Sequence, residues 1–298
     1  MSARARIGIS GWTYAGWRRL FYPEGLPARH ELAFAALLFD TIEINGTFYR
    51  MQRPQNFAAW RDRTPDGFRF AVKGSRFITH MKQLRDVEAP LANFFASGVL
   101  RLEEKLGPLL WQFSDRMRYD RERFDRFMSL LPHGERAASE LARGHDHRVR
   151  GRASYHTESD RRILHAIEVR NASFMCDDFL DLLRGHRIAL VFSDAAADWP
   201  YAEDVTSDFV YLRLHGAEQI YASGYDAASL DRWARKIRAW LRGTEPRDAR
   251  RAGSRRAPRT RGRDAWVFFD NDAKVHAPFD AMELADRLNV HWRHEHAQ

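Results

Sequence analysis

Carboxylates and one histidine are the residues best placed for chemistry in this chain, because they lie at the ends of short β-rich runs. Glu43 and Glu168 each lie two residues before the end of such a run, His215 ends one, and Asp272 follows another. Two carboxylates with a histidine can supply general acid and base catalysis of hydrolysis or isomerisation. We therefore predict that Glu43, Glu168 and His215 are catalytic.

A divalent metal ion would need the same residue types. Carboxylate oxygens with one imidazole suit Mg²⁺, Mn²⁺ or Zn²⁺. Basic residues are interleaved with these acids along the chain, and a pocket of mixed charge favours direct binding of an anion. We therefore assign no metal or other cofactor and keep a divalent cation as the alternative. The ligands of that alternative cation would be Glu43, Glu168, His215 and Asp272.

Basic, aromatic and amide side chains follow the same runs and predict a ligand-binding mouth. Lysine and arginine would hold a phosphate or carboxylate group, and aromatic faces stack on sugars or nucleobases. The alternative for the aromatic residues is that they pack the loops together. A Schiff base at Lys73 is disfavoured because neighbouring carboxylates would keep its amine charged. The predicted ligand-binding residues are Trp12, Tyr14, Asn45, Tyr49, Lys73, Arg170, Arg213, Tyr221, Tyr225 and Asn271.

Eight β-rich runs alternate with helical patterns, which favours parallel βαβ units closed into a barrel. We therefore predict an α/β fold, a single (β/α)8 TIM barrel over residues 1–298, with a loop at residues 194–204. The predicted strands are Arg6–Ser10, Thr41–Asn45, Phe68–Lys73, Pro108–Phe113, His165–Arg170, Ile188–Ser193, Phe209–His215 and Ala265–Asp270. The predicted helices are Arg29–Phe39, Pro54–Arg63, Pro90–Leu106, Arg121–Leu131, Asp177–Arg184, Ala227–Leu241 and Pro278–Leu288.

Two stretches lack apolar periodicity and predict exposed inserted loops, residues 133–160 before strand five and residues 244–264 before strand eight. The net charge of the chain is +8, and residues 247–263 alone contain eight arginines and one acid. This segment could neutralise nucleic-acid phosphates. Connections from a helix to the next strand open on the N-terminal face of a barrel, opposite the expected pocket, so we favour a solvated loop.

Alternation along each strand predicts which side chains enter the barrel, since successive residues face the helices and the interior in turn. Ile42 and Ile44 would face the helices, which sends Glu43 and Asn45 inward. Buried charges are costly unless they are paired, so a structural salt-bridge layer is the alternative to a catalytic set. That layer would pair Glu43 with Lys73 and Glu168 with Arg213. The same alternation places Glu43, Asn45, Lys73, Glu168, Arg170, Arg213 and His215 inside.

The strand-end segments together closely resemble the YecE-like family of uncharacterised barrel proteins, from about residue 7 to residue 288. That resemblance implies a TIM barrel whose segments converge on one pocket, and it implies no known reaction. The family usually has a Pro-Pro pair after strand four, where this chain has Gln112-Phe-Ser-Asp-Arg116, so no role is carried over to Gln112. The matching segments are Ile7-Gly-Ile-Ser-Gly-Trp-Thr-Tyr14, Glu43-Ile-Asn-Gly-Thr-Phe-Tyr49, Phe70-Ala-Val-Lys73, Ala166-Ile-Glu-Val-Arg170, Tyr211-Leu-Arg-Leu-His-Gly216 and Phe269-Asp-Asn-Asp272.

Composition excludes several classes of protein. Cys176 is the only cysteine, which excludes an intramolecular disulfide and a multi-cysteine metal site. No apolar run reaches membrane-spanning length, and Met1–Arg6 leads directly into a strand without a signal-peptide core, so we expect a cytoplasmic protein. The histidines near the end of the chain, His291, His294 and His296, indicate a frayed tail rather than a metal site.

The leading functional hypothesis is a hydrolase-like enzyme that acts on a phosphate-bearing or other anionic small molecule, with a nucleotide or nucleic acid among the candidates. The first alternative is a non-catalytic protein that binds a ligand or nucleic acid and whose charged interior is structural. The second is a sugar-processing barrel that uses the aromatic mouth. The sequence indicates no membrane association and no obligate protein partner.

Overall fold

The computed structural model describes residues 3–195, 199–216 and 218–290. Eight parallel strands pair in chain order and close on themselves, β1 pairing with β8. The fold is therefore a TIM barrel, as the strand count predicted. The strands are β1 (Ala5–Ser10), β2 (Thr41–Ile44), β3 (Arg69–Lys73), β4 (Leu106–Gln112), β5 (His165–Glu168), β6 (Ala189–Asp194), β7 (Phe209–Leu214) and β8 (Asp264–Phe269).

Helices surround this barrel, and short turns of other helix types link them. The α-helices are α1 (Glu31–Leu38), α2 (Gly46–Tyr49), α3 (Pro54–Asp62), α4 (Glu88–Ala96), α5 (Arg121–Leu130), α6 (Glu135–Arg143), α7 (Asp177–Gly185), α8 (Ala227–Leu241) and α9 (His276–Leu288). The 3-10 turns are Ala15–Trp17, Ala28–His30, Val99–Lys105, His147–Val149 and Ala172–Phe174, and one π-helical turn covers Phe77–Met81.

Alternation along the strands confirms the predicted inner and outer faces. Ile42 and Leu212 pack in the large core between strands and helices. Ala71 and Tyr211 instead belong to a second apolar cluster inside the barrel, which also contains Trp266. This inner cluster fills the barrel below the charged residues, so the polar side chains are held at the C-terminal ends of the strands.

The long helix predicted for Pro90–Leu106 is wrong, because two elements occupy that range. Helix α4 ends at Ala96, and Gly98 adopts φ 105° before a 3-10 segment begins at Val99. A Cβ atom at Gly98 would lie 2.6 Å from the Cα atom of Pro54. Glycine is thus required both by its positive φ and by the close approach of α3, and it ends the helix.

Residues 133–160 are more ordered than the absence of periodicity predicted. They contain α6, whose alanines Ala138 and Ala142 are buried and whose axis packs against α4. Alanine carries a weak hydrophobic signal but allows close helix packing, which explains why the pattern was missed. Glu135 is also buried, with its carboxylate 3.0 Å from Arg161 and from Thr157.

The arginine-rich segment, residues 247–263, does not simply cross the N-terminal face of the barrel, which corrects the sequence interpretation. The described residues between β6 and β7 form no helix, as predicted. The arginine-rich segment packs over them, where a barrel helix would otherwise lie. Asp204 accepts hydrogen bonds from the backbone of Ala252 (2.7 Å) and Gly253 (3.3 Å). Ser254 N donates to Asp177 at the start of α7 (2.8 Å), toward the C-terminal ends of the strands. The segment therefore lies along the barrel side in place of a missing helix.

No helix among residues 3–195, 199–216 and 218–290 has the length and hydropathy needed to span a bilayer. The terminal histidines named above lie outside the described residues.

Candidate functional site

A cavity of about 1210 Å³ opens at the C-terminal ends of the strands. Barrel enzymes hold their chemistry at this face, because the loops that follow the strands meet there. The wall brings together most of the predicted ligand-binding residues from five different segments of the chain. The predicted residues that line it are Trp12, Tyr14, Asn45, Tyr49, Lys73, Arg170, Arg213, Tyr221 and Asp272.

Arg213, from the end of β7, forms the floor of the cavity and is held by three carboxylates. Its Nη2 lies 2.9 Å from Glu43 Oε1 and 2.8 Å from Asp270 Oδ2, and its Nη1 lies 2.8 Å from Glu168 Oε2. Burial alone would lower the pKa of Arg213, but these carboxylates outweigh burial and hold it well above its usual value. The guanidinium group is therefore a fixed positive charge with four N–H···O contacts to carboxylates, the fourth being Nε to Glu43.

Glu43 is completely buried, and both of its oxygens are already occupied. Besides Arg213, it accepts hydrogen bonds from Ser10 Oγ (3.0 Å) and Tyr211 OH (2.6 Å). Glu43 pairs with Arg213 rather than with Lys73, so the expected Glu43–Lys73 pair is wrong. The cause is the register of the barrel, which brings the longer arginine side chain of β7 across to β2.

Glu168 is equally buried and equally satisfied. Gln112 Nε2 lies 3.1 Å from both of its oxygens, and Arg170 and Arg213 bind it as well. Burial would raise the pKa of Glu168, but the two arginines outweigh burial and lower it well below its usual value. The catalytic roles of Glu43 and Glu168 stay predictions, and neither residue lines the cavity.

Lys73 is the last residue of β3 and contrasts with Arg213, because no carboxylate of the described residues pairs with it. Its side chain is buried and lines the cavity, yet no described residue forms an ion pair or hydrogen bond with its ammonium group. The Nζ atom lies 4.4 Å from the ring centroid of Phe48. Burial and the nearby charge of Arg213 lower the pKa of Lys73 to about 8. The amine is therefore mostly protonated at neutral pH and lacks a counter-ion.

Asp270 is a site residue that the sequence reasoning missed. It lies at the cavity floor between Arg213 and His215, and its Oδ2 is 3.0 Å from His215 Nδ1, in contact but outside hydrogen-bond geometry. Burial would raise its pKa, but Arg213 and His215 lower it to about 2. The signal was available: Trp266 and Phe268 face the barrel interior, and the same alternation sends Asp270 inward.

Asp272 and Tyr14 lie together at the cavity wall. Their pKa values are raised, whereas those of Glu168 and Asp270 beside Arg213 are lowered. Burial and the charge of Asp270 raise the pKa of Asp272 to about 6. Burial and Asp270 also raise the pKa of Tyr14, whose hydroxyl donates to the carbonyl oxygen of Ser10. Asp272 is thus a cavity-lining carboxyl group able to gain or lose a proton near neutral pH.

Besides Glu43 and Glu168, three predicted residues do not line the cavity. His215 is completely buried beneath it, and burial with the charge of Arg213 lowers its pKa. Tyr225 points away, where its hydroxyl donates to Asp194 Oδ2 (3.1 Å), and Asn271 Nδ2 donates to Asp280 Oδ2 of α9 (2.7 Å). Strand alternation explains Asn271, because the residue after an inward-facing Asp270 must face the helices.

Gly216 adopts φ 120°, a backbone conformation that favours glycine. A Cβ atom there would lie 2.6 Å from the carbonyl oxygen of Gln219. The glycine therefore serves the turn of its own loop.

Arginines in the loops around the cavity were also missed. Arg50, Arg63 and Arg76 line it, are exposed, and form no ion pair with any residue in the described ranges. The guanidinium carbon of Arg76 lies 5.6 Å from the ring centroid of Tyr49. Arg63 follows α3 and is distant from every strand end, so no sequence pattern links it to the site.

The alternative metal ligands do not converge. Within the described residues, no group of three or more histidine, cysteine, aspartate or glutamate side chains is arranged to hold a metal ion. Arg213 already binds Glu43 and Glu168, while His215 lies below the cavity and Asp272 lies in its wall. Two of the three carboxylates proposed as ligands, Glu43 and Glu168, are thus neutralised by a protein cation.

Known proteins resemble this chain in sequence and in fold. The UPF0759 protein YecE of Escherichia coli K12 and that of E. coli O157:H7 are each 31% identical over 123 residues, 37% of this chain and 43% of each relative. The chain therefore matches less than half the length of these curated relatives.

Solved structures match over nearly the whole chain. A DUF72 family protein from Thermotoga maritima has a TM-score of 0.72 at 22% identity and covers 96% of this chain and 99% of its own. One from Enterococcus faecalis has a TM-score of 0.67 at 17% identity, with 97% of each chain covered. At these low sequence identities, the structural matches show a shared fold and nothing more. The family model described as "Protein of unknown function DUF72" matches residues 6–298, and the chain therefore belongs to the DUF72 family.

Proposed function

We propose that this protein is a hydrolase-like enzyme that binds a phosphate-bearing or other anionic small molecule in the cavity at the C-terminal mouth of the barrel. The observation that carries the proposal is Lys73, a buried cation that lines the cavity and has no ion-pair or hydrogen-bond partner among the described residues. An unpaired buried charge costs several kcal/mol, of order 3 for a pKa displaced by two to three units. A bound anion would remove that cost.

The charge balance of the cavity wall supports the same ligand class. Glu43 and Glu168 lie beneath the wall, where they pair with Arg213 and Arg170 and so offset these two cations. Asn45 adds a buried Oδ1 atom with no hydrogen-bond partner among the described residues, an acceptor for a ligand hydroxyl or amine. The lining cations that pair with no described carboxylate are Arg50, Arg63, Lys73 and Arg76, and the lining carboxylate outside the Arg213 cluster is Asp272.

Asp272 is the side chain best placed to move a proton in such a reaction. Its pKa of about 6 lies close to neutral pH, where a general base or acid is most effective. In hydrolysis, the ionised carboxylate would take a proton from an attacking water molecule while the cations hold the anionic group. The catalytic role therefore moves from the saturated glutamates to the cavity wall.

The test is binding of inorganic phosphate by calorimetry and turnover of a panel of phosphate esters, nucleotides included. We expect Lys73→Met to weaken phosphate binding at least tenfold, while Lys274→Met, at an exposed lysine outside the cavity, leaves it unchanged. Equal binding by the wild type and Lys73→Met would refute the site. No phosphate binding by the wild type would refute the ligand class.

A non-catalytic binding protein is the second candidate, because both glutamates first predicted to be catalytic are buried and saturated. Phosphate binding by the wild type without turnover of any ester in the panel favours the binding protein. On an ester that the wild type hydrolyses, loss of turnover with retained binding in Asp272→Asn supports Asp272 as the proton-transfer group. Unchanged turnover in that variant excludes Asp272 from this role.

A further inference from the structure

A second, smaller cavity adjoins the one described above. Its volume is about 240 Å³, and it lies between α2, the π-helical turn after β3, and α4. The two cavities are continuous in their walls. The residues that line both are Tyr49, Arg50, Gln52, Arg76 and Met81.

The interior of this side cavity is apolar. Met51 and Phe77 line it on the sides of α2 and the π-helical turn, and Ile78, Pro90 and Phe94 form the buried end. A cavity of about 150 Å³ lined by aliphatic and aromatic residues binds benzene. The side cavity therefore has room for an apolar group of six to eight carbon atoms.

Three polar residues of the side cavity turn their hydrogen-bonding atoms to the backbone, and Arg148, which also lines it, pairs with Asp146 (2.8 Å). Thr47 Oγ1 donates to the carbonyl oxygen of Lys73 (2.6 Å), and Ser97 Oγ donates to that of Phe94 (2.7 Å). Asn93 Oδ1 accepts from the backbone of Asp146 (2.9 Å). These contacts leave mainly carbon atoms facing the cavity, so its lining favours an apolar occupant.

The junction of the two cavities combines exposed apolar surface with positive charge. Tyr49 and Met81 are 62% and 65% exposed, although side chains of this size are usually covered. Arg50 and Arg76 stand at the same junction without a carboxylate partner among the described residues. A molecule that crosses the junction would cover the two apolar side chains and place an anion beside the two arginines.

We propose that the side cavity is a specificity subsite that receives the apolar part of the substrate, a phosphate monoester of an aryl or short alkyl alcohol. The phosphate binds Lys73 in the large cavity, and the six-to-eight-carbon group passes the junction lined by Arg50 and Arg76 and enters the side cavity. This inference rests on the proposed function for its anion and adds the identity of the group that carries it.

The experiment compares inorganic phosphate, methyl phosphate and phenyl phosphate by calorimetry on the full chain. We expect phenyl phosphate to bind at least tenfold more tightly than methyl phosphate. Ser97→Leu fills the side cavity from its buried end, and Met81→Trp blocks its entrance from an exposed position that needs no space in the core. Leu20→Trp is the matched control, because Leu20 is 66% exposed and lies outside both cavities.

Each outcome decides a different point. Loss of the phenyl preference in a folded blocking variant, with phosphate binding kept, supports the subsite. Equal binding of phenyl and methyl phosphate by the wild type overturns the subsite and leaves the anion site standing. A phenyl preference that survives in Met81→Trp and in folded Ser97→Leu overturns the location. No binding of any of the three compounds overturns the proposed function as well.

Discussion

Two buried cations of one cavity, Arg213 and Lys73, differ in how many carboxylate partners they have. On one side Arg213 meets three carboxylates within 3 Å, and two of them, Glu43 and Glu168, accept further hydrogen bonds. On the other side Lys73 is almost as buried but forms no ion pair or hydrogen bond with any described residue, and its ammonium group lies 4.4 Å from the ring centroid of Phe48. The first arrangement resembles a structural salt-bridge layer, and the second resembles a ligand site.

The difference teaches that charge inside a barrel is not by itself evidence of catalysis. Buried ion pairs with complete hydrogen bonding can do no more than fill the interior and set its geometry. Arg213 has most of its N–H groups bound to carboxylates and has few left for a ligand. The N–H groups of Lys73 and of the exposed arginines Arg50, Arg63 and Arg76 bind no described carboxylate. A ligand site is therefore better sought at buried charged groups that lack protein partners than at the place where most charges cluster.

The largest expected effect comes from removing the cation that three carboxylates share. Arg213→Met should lower the free energy of unfolding by at least about 3–5 kcal/mol, because the buried carboxylates Glu43 and Glu168 lose their compensation. Denaturant unfolding at neutral pH measures this loss. Arg162→Met, which breaks the exposed pair with Asp208, should cost less than about 1 kcal/mol. Comparable losses in the two variants would contradict the structural role of Arg213.

The second-largest expected effect is a gain in stability rather than a loss. Lys73→Met should raise the free energy of unfolding at pH 7 by about 3 kcal/mol, since the folded pKa of about 8 lies well below the ordinary value of 10.5. Between these values the unfolded chain holds a proton that the folded protein has lost, so wild-type stability rises with pH through this window. The advantage of the variant should therefore be full below pH 8 and shrink toward pH 10.5.

Lys105→Met is the control for that prediction, because Lys105 is also buried but donates to the carbonyl oxygens of Arg61 (2.7 Å) and Thr64 (2.6 Å). It should destabilise the protein, as two backbone acceptors lose their donor. A loss of stability in Lys73→Met, equal to that in Lys105→Met, would show that Lys73 is satisfied in the folded protein.

The smallest effect concerns Asp272, whose folded pKa of about 6 exceeds its ordinary value of 3.8. Between these values the folded protein holds a proton that the unfolded chain has lost, so the contribution of Asp272 to stability falls as pH rises. Asp272→Asn should therefore gain stability over the wild type as pH increases from 4 to 7, by about 2 kcal/mol at most. Unfolding midpoints across this range measure the gain, with exposed Asp115→Asn as the control. A difference that stays constant with pH would remove Asp272 as a titrating group.

Much of the site could be predicted from the sequence, because strand alternation is a local property. It placed Glu43, Glu168 and Arg213 inside the barrel, and it would have placed Asp270 there had it been applied to β8. It could not reveal that Arg213, rather than Lys73, binds Glu43. That choice depends on the closure of the barrel, which brings together side chains of β2 and β7, two strands that do not pair and are far apart in the chain.

The sequence by itself determined the eight strands, the faces of those strands and the family, since each rests on periodicity or on motifs of neighbouring residues. Tertiary structure alone decided which charges are neutralised, where the arginine-rich segment lies, and that Arg63 reaches the cavity. The physical reason is that pairing and burial depend on distances between residues remote in sequence. Those distances are set only when the barrel closes.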